Sequence, residues 1–144
     1  MTDAGELDME AFEALLSDGK VLVAVGGSTE PHFLRRYLSS GAPDPSFGVN
    51  GTLTFPIANG VLASRLSTGP TDPIIVLLAT PTEGSYLLRR YLASGSSDPT
   101  FGGGGQVSLA FGQGADLQGL AVGPTGEVTV AVSSSAGATT LRQF

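Results

Sequence analysis

The feature that most constrains this chain is that it repeats itself. Residues 33–48 read FLRRYLSSGAPDPSFG and residues 87–102 read LLRRYLASGSSDPTFG, a gapless match at 11 of 16 positions, 54 residues apart. The likeness extends upstream, where Val21-Leu22-Val23-Ala24-Val25 corresponds to Ile75-Val76-Leu77-Leu78-Ala79. A third copy begins near Leu117. Its Glu127 to Val132 stands for Lys20 to Val25, and its Leu141-Arg142-Gln143-Phe144 stands for Leu88-Arg89-Arg90-Tyr91. A fixed period of this length indicates a solenoid, a propeller or an array. The units run 6–59, 60–114 and, in part, 115–144 of one repeat domain, 1–144.

The contents of one period decide between these. Ala11 to Leu16 alternates weakly and precedes the turn Ser17-Asp18-Gly19. Lys20 to Gly26 is a Val-rich run, with a loop at Gly27 to Pro31. His32 to Ser39 is a third extended run, closed by Ser40 to Pro45, and Gly51 to Phe55 is a fourth. Four short β-prone runs between Gly/Pro/Asp turns are the contents of a propeller blade. The expectation is an all-β chain of blades with four antiparallel strands each, about two and a half repeats in all. One segment is ambiguous: Glu6 to Leu16 also places Leu7, Ala11, Ala14 and Leu15 on one side of a helix. The strand reading is preferred, because Leu117 to Val122 fills the same slot and ends in the hairpin turn Gly123-Pro124-Thr125-Gly126.

Composition agrees. Gly 21 and Pro 9 together exclude a long-helix protein, and 41% hydrophobic residues exclude a disordered one. A net charge of −6 argues against nucleic acid, which needs a basic stripe to displace counterions. The longest apolar run, Ile74 to Ala79, falls far short of the ~20 residues of a spanning helix. Met1 to Asp8 is acidic, without a signal peptide's basic and apolar regions, so no membrane insertion is expected. Lack of cysteine removes thiol nucleophiles, disulfides and thiolate metal sites, and leaves the compartment open.

Arg36-Tyr37 … Gly41 … Asp44-Pro45-Ser46-Phe47-Gly48 … Gly51 resembles the bacterial delta-60 repeat. So do Arg90-Tyr91 … Asp98-Pro99-Thr100-Phe101-Gly102 and the Asp18-Gly19-Lys20 hairpin. The resemblance covers nearly the whole chain. It implies propeller-like repeats in large bacterial, often surface-associated proteins, and no established activity. Ser67 to Pro73 departs from the pattern where the tight Asp-Gly-Lys turn belongs.

The recurring residues are the candidate site. Arg35, Arg89 and Arg142 each stand two residues before an aromatic, Tyr37, Tyr91 or Phe144, and share its strand face. Leu34, Arg36 and Leu38, and Leu88, Arg90 and Leu92, take the opposite face. One Arg of each pair is expected to stack on an aromatic ring or bridge blades through a carboxylate. The functional alternative is a ligand site of Arg35, Arg36, Tyr37, Arg89, Arg90, Tyr91 and Arg142 that binds an anion. Asp44 and Asp98 are expected to accept backbone N–H bonds in Asx-turns. Calcium would need about six to eight oxygens, and each loop offers one carboxylate. Phe47 and Phe101 are expected to fill the space between blades, with Gly48 and Gly102 supplying a φ that other residues resist. Asn50-Gly51 reads as a hairpin turn rather than as part of a glycosylation sequon.

No catalytic set emerges. His32 is the single histidine and its counterpart is Tyr86, no Gly-x-Ser-x-Gly elbow occurs, and Gly102 to Gly105 lacks the Lys of a phosphate loop. The expectation is a non-enzymatic binding or scaffold module with no cofactor and no metal. The alternatives are a lectin-like glycan binder with one site per blade, and a propeller hydrolase or lyase. Two and a half units cannot close a ring, since propellers use about four to eight blades. Met1 to Gly5 matches the tail of a preceding unit's fourth strand. Self-association through open blade edges is therefore expected, or a longer parent whose other repeats close the ring.

Overall fold

The computed structural model describes residues 9–27, 32–55, 62–68 and 73–144. These form eleven strands, with no helix among the described residues. The first sheet runs β1 (Met9–Leu15), β2 (Val21–Gly27), β3 (His32–Tyr37), β4 (Thr52–Phe55). The second runs β5 (Leu62–Thr68), β6 (Ile74–Ala79), β7 (Ser85–Tyr91), β8 (Gln106–Ala110). The third contains β9 (Asp116–Val122), β10 (Val128–Ser133) and β11 (Thr139–Gln143). Every neighbouring pair is antiparallel and consecutive in sequence. The chain is thus all-β, with propeller-like meander sheets. The helical alternative for Glu6 to Leu16 is overturned: Met9–Leu15 is a strand, paired residue for residue with Val21–Gly27. A helix there would leave the inner edge of β2 without its ladder. Residues 1–8, 28–31, 56–61 and 69–72, the last of which are most of the divergent Ser67 to Pro73 loop, lie outside the described residues.

The turns recur as the strands do. Leu16 N–H donates to the Lys20 carbonyl at 2.8 Å and Gly19 N–H to Leu16 at 3.0 Å. Gly123, Gly126 and Glu127 repeat that turn in the third sheet at 2.8 and 3.1 Å. Its fourth residue needs a positive φ, 83° at Gly19 and 91° at Gly126. Asn50 (φ 51°) and Gly51 (φ 85°) make a two-residue hairpin closed by reciprocal Val49–Thr52 bonds. Positive φ at both central positions is the type I′ geometry that matches strand twist.

The sheets stack face to face, each laying its front on the rear of the next. Front residues Leu22, Ala24 and Leu34 and the turn residue Phe47 pack on the second sheet's rear residues Ile74, Val76, Leu78 and Tyr91. The second sheet's front, Ile75, Leu77 and Leu88 with Phe101, packs in turn on Val128, Val130 and Val132. Strand β6 is therefore buried on both faces, which is why it is a continuous apolar run and not an alternating one. The first strands lie side by side, β1 against β5 and β5 against β9, as inner strands about a common axis do.

This packing corrects the alignment of β6. Val21 pairs with Tyr37, Ile74 with Tyr91 and Val128 with Phe144. Leu22 thus corresponds to Ile75, not Val21 to Ile75. The second unit carries one extra residue between the paired positions, 17 residues from Ile74 to Tyr91 against 16 from Val21 to Tyr37. A one-residue offset exchanges the faces of a strand.

Candidate functional site

Of each Arg pair, the second member lies on the front face and is held in a clasp. Arg36 Nε donates to Asp44 Oδ2 at 2.9 Å, and Lys20 Nζ approaches the same oxygen at 3.2 Å. Asp44 Oδ1 accepts the Ser46 backbone N–H at 3.0 Å and the Ser46 hydroxyl at 2.6 Å. The guanidinium stacks 4.6 Å from the Phe47 ring centroid and donates from Nη2 to Ser46 Oγ at 3.1 Å. From Nη1 it donates to the Ala93 carbonyl of the second sheet. The clasp therefore ties one sheet to the next. The second unit repeats it: Arg90 Nε to Asp98 Oδ2 at 2.7 Å, Thr100 N–H and hydroxyl to Asp98 Oδ1 at 3.0 and 2.6 Å, and Arg90 over Phe101 at 4.6 Å.

The Asx-turn account of Asp44 and Asp98 describes this geometry. Their oxygens are filled by N–H and O–H donors, and a cation there would sit against a guanidinium. Among the described residues no group of three or more His, Cys, Asp or Glu could hold a metal ion. Hydrogen bonds from Ser46 and Thr100, reinforced by Lys20 and by Arg36 or Arg90, hold both carboxyls below the ordinary value of 3.8. A group with a depressed folded pKa stabilises the fold above its unfolded pKa, and that contribution is lost as pH falls through the folded value. We expect the urea midpoint to hold from neutrality to about pH 4 and to fall below it. The acid limb should flatten in Asp44→Asn/Asp98→Asn, already weakened at neutral pH. An unchanged acid limb in that variant would contradict the clasp.

The first member of each pair lies on the rear face. Arg35, Arg89 and Arg142 stand opposite Val23, Val76 and Val130, so they occupy one register position in three successive sheets and do not converge on one site. Arg35 is exposed, lies 4.9 Å from the Phe33 centroid and donates to Thr52 Oγ1 at 3.3 Å. Arg142 lies 4.9 Å from the Phe111 centroid. Arg89 differs, because it borders a cleft of about 580 Å³ between the first and second sheets.

Strand β7 contributes Arg89 and Tyr91 to that cleft, and the turn after it contributes Ser94, Ser96 and Ser97. Gln106 enters from the start of β8, with Leu53 and Thr54 from β4 on the opposite side. Glycines complete the walls, and a Gly48 N–H to Ser94 carbonyl bond of 3.1 Å joins the two sheets there. Among the described residues no carboxylate lines the cleft. Tyr91 is 4% exposed. Burial raises its phenol pKa, and the neighbouring Arg89 opposes the rise. Tyr37, its counterpart, is half-buried. The structure thus separates the candidate residues: Arg36 and Arg90 into clasps, Arg89 and Tyr91 into the cleft, Arg35, Tyr37 and Arg142 elsewhere on rear faces. The sequence reading missed Ser46, Thr100 and Lys20 as clasp partners. It also missed the serine-rich turn and Gln106, though Ser46 and Thr100 stand at one repeat position that always bears a hydroxyl.

A family model described as a domain of unknown function (DUF5122), beta-propeller, matches residues 16–47, the stretch from the first hairpin to Phe47. That stretch is similar to a propeller-like repeat family. No curated protein matches the chain, and no solved structure does.

Proposed function

We propose that this chain is a non-enzymatic binding or scaffold module of the delta-60 type, whose blades complete their arrangement with a second copy. One observation carries the reading: the first sheet presents an open rear face. Val21, Val23, Phe33 and Tyr37 are only half-buried there. Their counterparts Ile74 and Val76 are 0% exposed, covered by the preceding sheet. At the other end Leu141, counterpart of the buried Leu34 and Leu88, is 67% exposed. Strand β11 pairs on one side only, which favours strand addition. The two surfaces are the halves of a contact that the chain already makes twice internally.

Native mass across a dilution series tests this. Dimers or larger assemblies are expected, weakened by Leu141→Asp. A monomer at every concentration overturns association through these faces. The lectin-like alternative draws support from the hydroxyl-rich cleft. The buried Tyr91 is unlike the open aromatic platform which that alternative puts on every blade. A hydrolase or lyase ranks lower, because Asp44 and Asp98 are held ionised and paired, unsuited to proton exchange near neutrality.

A further inference from the structure

We propose that the cleft between the first two sheets binds an acidic saccharide, with Arg89 holding its oxyanion and Ser94, Ser96, Ser97 and Gln106 holding its hydroxyls. The proposal deepens the reading of the chain as a binding module and rests on it.

Size, charge and lining chemistry converge on this ligand class. A volume of about 580 Å³ lies within the range of small-molecule sites. Among the described residues that line it, Arg89 is the single charged one, in a chain of net charge −6. The positive site is therefore a local exception that selects an anion against the field of the whole molecule. A guanidinium offers five N–H donors in a fixed fork, suited to carboxylate or sulfate oxygens. Arg89 shares its face of β7 with Tyr91, two residues on, whose buried ring forms the wall beside it.

The remaining lining chooses the scaffold that carries the anion. Serine hydroxyls both donate and accept, as sugar hydroxyls do, and the Gln106 amide adds both functions in one group. Leu53 is the one aliphatic side chain among the described lining residues, which suits a hydroxylated ligand better than the apolar side chains of a peptide. The equivalent arginines lack such surroundings. Arg142 stacks on Phe111, and Arg35 stacks on Phe33 and bonds Thr52 on the open rear face.

Calorimetric titration of the whole chain tests the proposal with four probes: trigalacturonate, a sulfated disaccharide, neutral maltotriose and triglutamate. At least one acidic saccharide is expected to bind ~10-fold or more tightly than maltotriose, with affinity falling as salt rises. The choice between the first two probes identifies the oxyanion as carboxylate or sulfate. Arg89→Gln should weaken that binding ~10-fold or more, the scale of one charge-assisted hydrogen bond. Ser96→Trp, on an exposed turn, should block the cleft, whereas Arg35→Gln should bind as the parent does. Thermal unfolding verifies that each variant is folded. Silence toward both acidic saccharides overturns the proposal, and so does triglutamate binding as tightly. Binding that survives both Arg89→Gln and Ser96→Trp removes the ligand from the cleft and leaves the binding-module reading standing. Shortened or unsaturated products in the cell would support the cleft and overturn the non-enzymatic reading.

Discussion

Phe47→Ala should destabilise the chain by about 3–5 kcal/mol, read as a lowered urea midpoint at unchanged slope. Phe47 is 0% exposed and is among the largest fully buried side chains, although it comes from a turn and not from a strand. It reaches across the boundary to pack with Ile74, Val76 and Leu78 of the second sheet while the Arg36 guanidinium covers its ring. Truncation therefore removes apolar contact from both sheets and the stacking surface beneath a buried cation. The neighbours cannot collapse inward, since Gly95 already lies against the ring edge and the backbone beside it is tied by the Gly48–Ser94 bond. Phe33→Ala, on the open rear face, should cost much less in the monomer. If the two variants lose equal stability, the account of Phe47 as the bolt between the sheets is wrong.

Gly48→Ala should destabilise more than Gly41→Ala, although both glycines have positive φ, 53° and 89°. An added Cβ at Gly41 meets nothing within 4 Å, so its cost is the left-handed backbone alone, about 1 kcal/mol. At Gly48 the same atom would stand 2.3 Å from the Thr52 carbonyl oxygen, which is backbone and cannot swing away. Relief requires opening the Val49–Thr52 hairpin and displacing the Gly48–Ser94 bond, so the loss should be several-fold that of Gly41→Ala. A Cβ added at Gly102 would stand 2.2 Å from the Gln106 carbonyl oxygen, so Gly102→Ala should behave as Gly48→Ala does. Chemical denaturation of the three variants side by side decides the matter, and equal losses at Gly41 and Gly48 would refute the steric argument.

What the sequence disclosed follows from where its information is redundant. The strands and turns were legible because each recurs: Leu34 to Tyr37 and Leu88 to Tyr91 are the same string, and Asp18-Gly19 and Thr125-Gly126 occupy the same hairpin corner. The clasps were half legible. Recurrence put Asp and two Arg in every full unit, and alternation put Arg35 and Arg36 on opposite faces. Which face meets the next sheet is decided by burial, and burial is a property of the stack. The register of β6 was hidden for a related reason. Ile74 to Ala79 is apolar at every position, so it has no alternation to mark a slip of one residue. The cleft left no signal at all. Thr54 belongs to one unit and Ser94 to Ser97 to the next, and no spacing rule links a strand end with a turn some forty residues on.

The stacking described above is directional: one surface always meets a different surface. Such contacts are heterologous, and a heterologous contact has no intrinsic stopping point. If copies associate as proposed, they close into an annulus only where the rotation per step divides a full turn and carries no rise along the axis, and otherwise run on as a fibre. In such an assembly, specificity for the partner and control of the final number would be separate properties. The second can be altered by a small change in tilt, with every side-chain contact kept.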